Sequence, residues 1–198
     1  MKSGPVRILG IDPGSRVTGY GIIDFERSQA RCVSAGSLVL GDGELGERLL
    51  RIHTRLGAII QTYAPTEVVL EQVFMHRNAR SALVLGQARG AAVVAALGQG
   101  LRMYEYAPNR IKQAVTGRGH AGKEQVQHMV RMLLNLDEMP GADAADALAA
   151  AICHAHIRQT DVNQSDALEA GATGKTGAAD VGGAGLVSRR RHRRWSRA

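Results

Sequence analysis

Two apolar runs in this chain each carry a carboxylate where a strand should be dry. Ile8, Leu9, Gly10 and Ile11 lead straight into Asp12, and Glu71 lies within Val68, Val69, Leu70, Glu71, Gln72 and Val73. Runs of this kind read as buried strands. An acid at such a place is costly unless a cation or a set of donors compensates it. Either acid alone is as readily a turn or ion-pair residue as a ligand; the two together favour a shared cation.

The surrounding pattern predicts an α/β domain. Residues 6 to 12 and 17 to 24 read as strands joined by a Pro-Gly turn, and residues 31 to 40 as a third, so a meander opens the fold. Leu45, Leu49, Ile52, Leu56, Ile59, Ile60 and Tyr63 recur at helical spacing until Pro65. A strand over residues 66 to 73 follows, and the order helix then strand predicts a parallel crossover. A second helix is expected from Asn78 to Leu97, with a small-residue stripe of Ala79, Ala82, Leu83, Gly86, Gly90, Val93 and Leu97. Close packing on the sheet explains that stripe, and a symmetric contact between two subunits competes with it. Residues 101 to 107 make a fifth strand, Pro108 opens a short helix, residues 117 to 122 form a glycine-rich loop, and residues 123 to 136 and 142 to 157 close the fold as helices. The expectation is a five-stranded mixed sheet flanked by helices.

The last of these helices carries the third acidic element. In Pro-Gly-Ala-Asp-Ala-Ala-Asp-Ala-Leu-Ala, Asp143 and Asp146 lie three apart and share one face. Asp143 suits the positive end of a helix, which is its plain structural explanation. Asp146 lies beyond the first turn among apolar neighbours and is harder to explain in that way. If Asp12, Glu71, Asp143 and Asp146 converge, their charges repel one another and any phosphate unless cations lie between them. All four are hard oxygen donors, so two Mg²⁺ ions per subunit are expected, with Mn²⁺ as a substitute. Such a pair suits in-line phosphodiester hydrolysis, activating a water and stabilising the leaving 3′-oxygen.

Composition bounds the setting. The chain has 198 residues and a formal charge of +7, which suggests a polyanionic partner without specifying one. Cys32 and Cys153 are too few for a disulfide framework, and neither a secretory signal nor an apolar stretch of membrane-spanning length is visible, so a cytoplasmic protein with no membrane association is expected. The foldable domain is read as residues 1 to 160. Residues 161 to 198 are read as an Ala/Gly-rich tail that cannot bury enough surface to order itself, ending in the arginine-rich Ser-Arg-Arg-Arg-His-Arg-Arg-Trp-Ser-Arg-Ala. That end suits a non-specific electrostatic tether, with Trp195 able to stack on a base or a partner.

With these residues in view, the chain resembles the RuvC Holliday junction resolvases of the ribonuclease H-like superfamily. The likeness rests on GIDPGSRVTGYG, EQVFMHRNARSALVLGQARG, GRGHAGKEQVQHMVR and ADAADALA, in family order and spacing across about residues 7 to 158. It implies a ribonuclease H-like fold and metal-binding catalytic roles for Asp12, Glu71, Asp143 and Asp146, the last a position where some members carry histidine. It places functional lysines at Lys112 and Lys123 and a base-engaging aromatic at Phe74. Arg77, Arg80 and Arg118 join Phe74, Lys112 and Lys123 as expected DNA contacts. The implied activity is that of a crossover junction endodeoxyribonuclease acting in recombination and repair, as a homodimer that nicks four-way junction DNA symmetrically beside RuvA and RuvB. The tail beyond about Arg158 departs from the family pattern.

Three rivals share parts of this reading. An actin-like or sugar-kinase ATPase also places Asp and a glycine-rich hairpin after a first strand, but needs two such domains. A silent junction-binding scaffold is disfavoured because all four acids are present. Another ribonuclease H-like nuclease, acting on hybrids or transposon ends, would not need the stretch from Arg77 to Gly90. Cys153, His154 and His156 lack matching ligands elsewhere for a zinc site, and His120 sits in the glycine-rich loop without an assigned role.

Overall fold

A computed structural model describes residues 4–72 and 78–173, with side chains described to residue 161. Five strands and five helices follow in the order β1 (Val6–Asp12), β2 (Val17–Glu26), β3 (Gln29–Val39), α1 (Leu45–Tyr63), β4 (Glu67–Glu71), α2 (Ala79–Leu97), β5 (Arg102–Tyr106), α3 (Pro108–Thr116), α4 (Lys123–Leu133) and α5 (Ala142–Thr173). The sheet order is β3-β2-β1-β4-β5. The meander β1-β2-β3 pairs antiparallel, and β4 joins β1, and β5 joins β4, in parallel. The mixed sheet expected from the sequence is therefore present, and its parallel half follows from the two helical crossovers.

Strand alternation divides the core into two. Leu9, Ile11, Val68 and Leu70 bury against α1 and α2, whereas Ile8 and Val69 bury with α3, α4 and α5. Register is reinforced by a cross-strand pair: Arg7 donates from Nε to Asp24 Oδ1 at 2.7 Å and from an outer nitrogen to Oδ2 at 2.9 Å, and this bidentate pair holds the Asp24 carboxyl below its usual range.

The second face of the sheet is built for close approach by α5. A side chain at Gly10 would run into the Ala147 carbonyl, and one at Gly19 into the Asp143 backbone. On the helix side, Ala144, Ala145, Ala147, Ala149, Ala150 and Ala151 are buried. Glycine against alanine lets the helix lie almost directly on β1 and β2, which no larger pairing permits.

Deeper along α5 a buried polar chain pins it to β4 and β5. The Tyr106 hydroxyl and His154 Nδ1 are 2.7 Å apart, His154 Nε2 is 2.9 Å from Glu67 Oε2, and Arg158 donates to Glu67 Oε1 at 2.7 Å. Burial pushes the His154 imidazole down and the Tyr106 phenol up to about 12. A neutral imidazole completes the chain when Tyr106 donates to Nδ1 and Nε2–H donates to Glu67.

Two sequence expectations change. The buried face of α2 is Ala88, Ala92, Ala95 and Ala96, while Leu83 is 70% exposed and Leu97 50%, and side chains at Gly86 or Gly90 would meet nothing. The stripe assigned to sheet packing thus faces outward over most of its length. Alanines surround this helix, so composition leaves its rotation undetermined; packing on α1 and the ion pair between Arg89 and Glu105 fix it. The helix expected to end at residue 157 continues to Thr173, through residues that the sequence was expected to leave unordered. Ala167, Leu168, Glu169 and Ala170 are good helix formers, which gives that extension a local reason. From Asn163 the chain forms a separate unit, of which only this helical stretch is described. Among the described residues no helix is long and apolar enough to cross a membrane.

Candidate active site

Asp12 and Glu71 terminate adjacent parallel strands. Ile11 pairs with Leu70, so the next residue of each strand leaves the sheet at the same edge and on the face covered by α5. The carboxyl ends of parallel strands are where α/β sheets open to a ligand. Asp12 also pairs with Gly19 on β2, the residue against which the Asp143 backbone rests. Close packing at that one glycine therefore brings the start of α5 to the end of β1, and Asp146 follows one helical turn later.

The result is a pocket of about 250 Å³ lined by Asp12, Glu71 and Asp146 from three elements, by Lys112 of α3 and Lys123 of α4, and by Pro108, Ile111, Val126 and Ala149. The apolar floor withdraws the acids from water. Burial, and then the charges of Asp146, Glu71 and Asp143, push the Asp12 carboxyl up to about 7, against a smaller lowering by Lys123. Glu71 is raised by burial and by Asp146, with Lys112 and Lys123 opposing. Burial likewise raises Asp146, opposed first by Lys123, whose Nζ lies 4.0 Å from Asp146 Oδ2. Asp143 is not among the pocket's lining residues; half-buried in the first turn of α5, it acts on both Asp12 and Asp146 by charge.

The donor set suits a hard divalent cation, since several carboxylates share a half-buried space, where the charges of Asp146, Glu71 and Asp143 raise Asp12 and that of Asp146 raises Glu71. Among the described residues, however, no three His, Cys, Asp or Glu side chains close into a ready-made cage. The pocket therefore offers carboxylate donors for a hard cation without a closed set of protein ligands among the described residues.

Of the other expected contacts, Arg80 and Arg118 are described and neither lines this pocket. Arg118 is exposed on the loop between α3 and α4, where Thr116 Oγ donates to its carbonyl at 2.9 Å and accepts from its amide at 3.2 Å. Arg80 lies on the opposite side of the sheet edge, at the start of α2. Phe74 and Arg77 lie outside the described residues. His154 is engaged with Tyr106 and Glu67. Cys153 is buried, its thiol pushed up to about 11 by burial, and its Sγ faces the Arg110 carbonyl at 3.8 Å.

Sequence reasoning passed over Arg16 and Arg48, which flank the turn after Asp12. Arg48 donates to the Ser15 carbonyl at 2.8 Å, and the Leu40 amide to the Arg16 carbonyl at 2.9 Å. The signal available was a cation four residues after the strand-end acid.

The family model described as crossover junction endodeoxyribonuclease RuvC matches residues 8–154. The proteins of that name from Halorhodospira halophila and Chromohalobacter salexigens are 60% and 53% identical to this chain over 153 and 152 residues. Each alignment covers 77% of this chain, and 91% and 82% of those proteins respectively. Among solved structures, Thermus thermophilus RuvC in complex with a Holliday junction substrate superposes with a TM-score of 0.74 at 36% identity, covering 79% of this chain and 96% of that one. On the extent of the family match and the identity of these relatives, the chain belongs to the RuvC family.

Proposed function

We propose that the protein is a divalent-metal-dependent crossover junction endodeoxyribonuclease that nicks Holliday junctions in recombination and DNA repair. The observation that carries this reading is the convergence of Asp12, Glu71 and Asp146 with Lys112 and Lys123 on one pocket at the carboxyl edge of the sheet. Family membership and the junction-bound relative support the choice of substrate.

In this reading Asp12, Glu71, Asp146 and Asp143 hold Mg²⁺, two ions per subunit, with Mn²⁺ as a substitute. Bound there, the cations supply Lewis acidity at the scissile phosphate and neutralise the clustered acids. Lys112 and Lys123 answer the negative charge that builds on the phosphate oxygens during attack. The buried walls exclude bulk water and strengthen each of these interactions. Arg118 on the adjoining loop, and Phe74 and Arg77 by motif, belong to the DNA-contacting surface.

A four-way junction is pseudo-two-fold and needs opposed cuts, so two subunits with one pocket each match it. The outward Leu83, Gly86, Gly90, Val94 and Leu97 surface of α2, which the fold leaves without a partner among the described residues, suits the contact between them. Partnership with RuvA and RuvB follows from family membership, and a cytoplasmic location from the sparse cysteines, Cys32 and Cys153.

The test is a synthetic four-way junction incubated with the full chain in Mg²⁺, in Mn²⁺ and in chelator, beside linear duplex and RNA–DNA hybrid controls. Paired symmetric nicks in either metal, absent in chelator and on the controls, are expected. Cleavage of the hybrid in preference to the junction would overturn the reading.

A further inference from the structure

A second pocket opens at the same sheet edge, on the side covered by α1 and α2 instead of α5. It has a volume of about 330 Å³, and its polar lining is Ser15, Arg16, Asp42, Arg48, Arg80 and Ser81. These residues come from three places in the chain that each adjoin a strand end: the turn after β1, the loop and first turn leading into α1, and the start of α2. Three guanidinium groups therefore meet in one concavity beside the strand that ends in Asp12.

Their charges are poorly compensated. Asp42 is the sole acid in the lining, and its contact with Arg16, at 3.4 Å, joins two side chains that are 87% and 78% exposed, so it is weak and screened. Arg48 is tied at one nitrogen to the Ser15 carbonyl, and its Nε, shielded from solvent, has no acceptor among the described residues. The Arg80 side chain has no acidic partner among the described residues, and its backbone amide, like that of Ser81, is taken by the Asn78 side chain. The concavity thus offers side-chain cations, two hydroxyls and an orphaned buried donor, and among its lining residues only the exposed Asp42 answers them.

We propose that this pocket is a second phosphate-binding subsite, which takes a non-scissile phosphodiester of the DNA strand being cut. The proposal rests on the DNA-cleaving function above and adds to it where the strand goes. Planar guanidinium groups match phosphate oxygens in geometry as well as charge, and small hydroxyls are common partners for backbone phosphates. A strand lying across the end of β1 would place one phosphate in the carboxylate pocket and another among these arginines, with the Pro13 to Arg16 turn between them. Such a contact fixes the register of the strand relative to the carboxylates without reading its sequence. Asp42 competes with the phosphate for Arg16, which gives the subsite a signature of opposite sign to that of ordinary damage.

The experiment measures binding of a four-way junction by the full chain in chelator over a series of salt concentrations. Arg16→Gln and Arg80→Gln, both at exposed side chains, are each expected to weaken binding by about tenfold and to lower the salt slope by about one. Asp42→Asn is expected to tighten it. Junctions carrying a single neutral methylphosphonate at successive positions beside the cut locate the phosphate: at one position the arginine penalty should disappear. Unchanged affinity and salt slope in both arginine variants would overturn the subsite, as would a penalty that persists undiminished at every methylphosphonate position. Metal-dependent nicking by the wild type reports separately on the function beneath it. Nicking together with a persistent penalty removes the subsite alone, whereas failure to nick removes both.

Discussion

Gly19 holds open the space that the backbone of Asp143 occupies: a side chain at this position in β2 would collide with the Asp143 carbonyl at the start of α5. Because Gly19 is also the β2 partner of Asp12, this single contact sets how close the helical acids come to the strand acids. Gly19→Ala is expected to push the start of α5 off the sheet, at a cost of about 1–3 kcal/mol. Junction cleavage should fall by more than tenfold while the circular dichroism spectrum remains that of a folded protein. Retained wild-type cleavage would show that the helix can yield without moving the acids.

Asp12→Asn, Glu71→Gln, Asp143→Asn and Asp146→Asn each remove a negative oxygen donor and leave the basic surface intact. Cleavage is expected to fall at least a hundredfold in each, with junction affinity in chelator equal to or better than wild type, because less charge faces the DNA. Cleavage rates and gel-shift affinities check both halves. Full cleavage by two of these variants would dissolve the site.

The same cluster makes a stability prediction. The Asp12 carboxyl is raised to about 7 in the folded chain from an ordinary 3.8, and Glu71 and Asp146 are raised as well. A raised carboxyl favours the fold when protonated, so its contribution is complete below about pH 4 and is lost as pH rises through about 7. In chelator at pH 8, Asp12→Asn should therefore melt above wild type, by about 2–4 °C for each kcal/mol recovered. Added Mg²⁺ should raise the wild-type melting temperature more than that of the variant. A variant that melts below wild type in chelator contradicts the buried repulsion.

His154 predicts the opposite dependence. Burial lowers its pKa from the ordinary 6.5, so the stabilisation it gives as a neutral ring is present above about pH 6.5 and lost as pH falls through the lowered value. His154→Ala strands the Tyr106 hydroxyl and one oxygen of Glu67, at a cost of about 2–4 kcal/mol. Differential scanning calorimetry of wild type and variant between pH 8 and pH 5 should show the gap narrowing as pH falls.

Removal of residues 174–198 takes away six arginines and Trp195. Junction affinity should drop and its salt slope flatten, since phosphate contacts are what such a segment supplies. The cleavage rate at saturating protein should stay within about threefold of wild type, because affinity and chemistry separate when no reacting group is removed. Salt titration and single-turnover kinetics decide the matter, and a folded truncation that fails to cut at saturation contradicts it.

Strand and helix periodicity is a local property, and it sufficed for the five strands, for α1 from Leu45 to Tyr63 and for the parallel crossover into β4. The acids were legible for a similar reason: Asp12 and Glu71 stand out against apolar neighbours, and Asp143 and Asp146 share a helical face by spacing alone. What the linear chain does not encode is rotation and depth of packing. Alanine on nearly every side left α2 free to bury Ala88, Ala92, Ala95 and Ala96 in place of its glycine stripe. Only the assembled sheet shows that Gly10 and Gly19 lie beneath α5, and only there do the Ser15–Arg16 turn, Arg48 and Arg80, three places distant in sequence, come to line a single pocket. Periodicity reports which face of an element is apolar, whereas contacts between elements depend on excluded volume and on charges that meet after the chain has closed on itself.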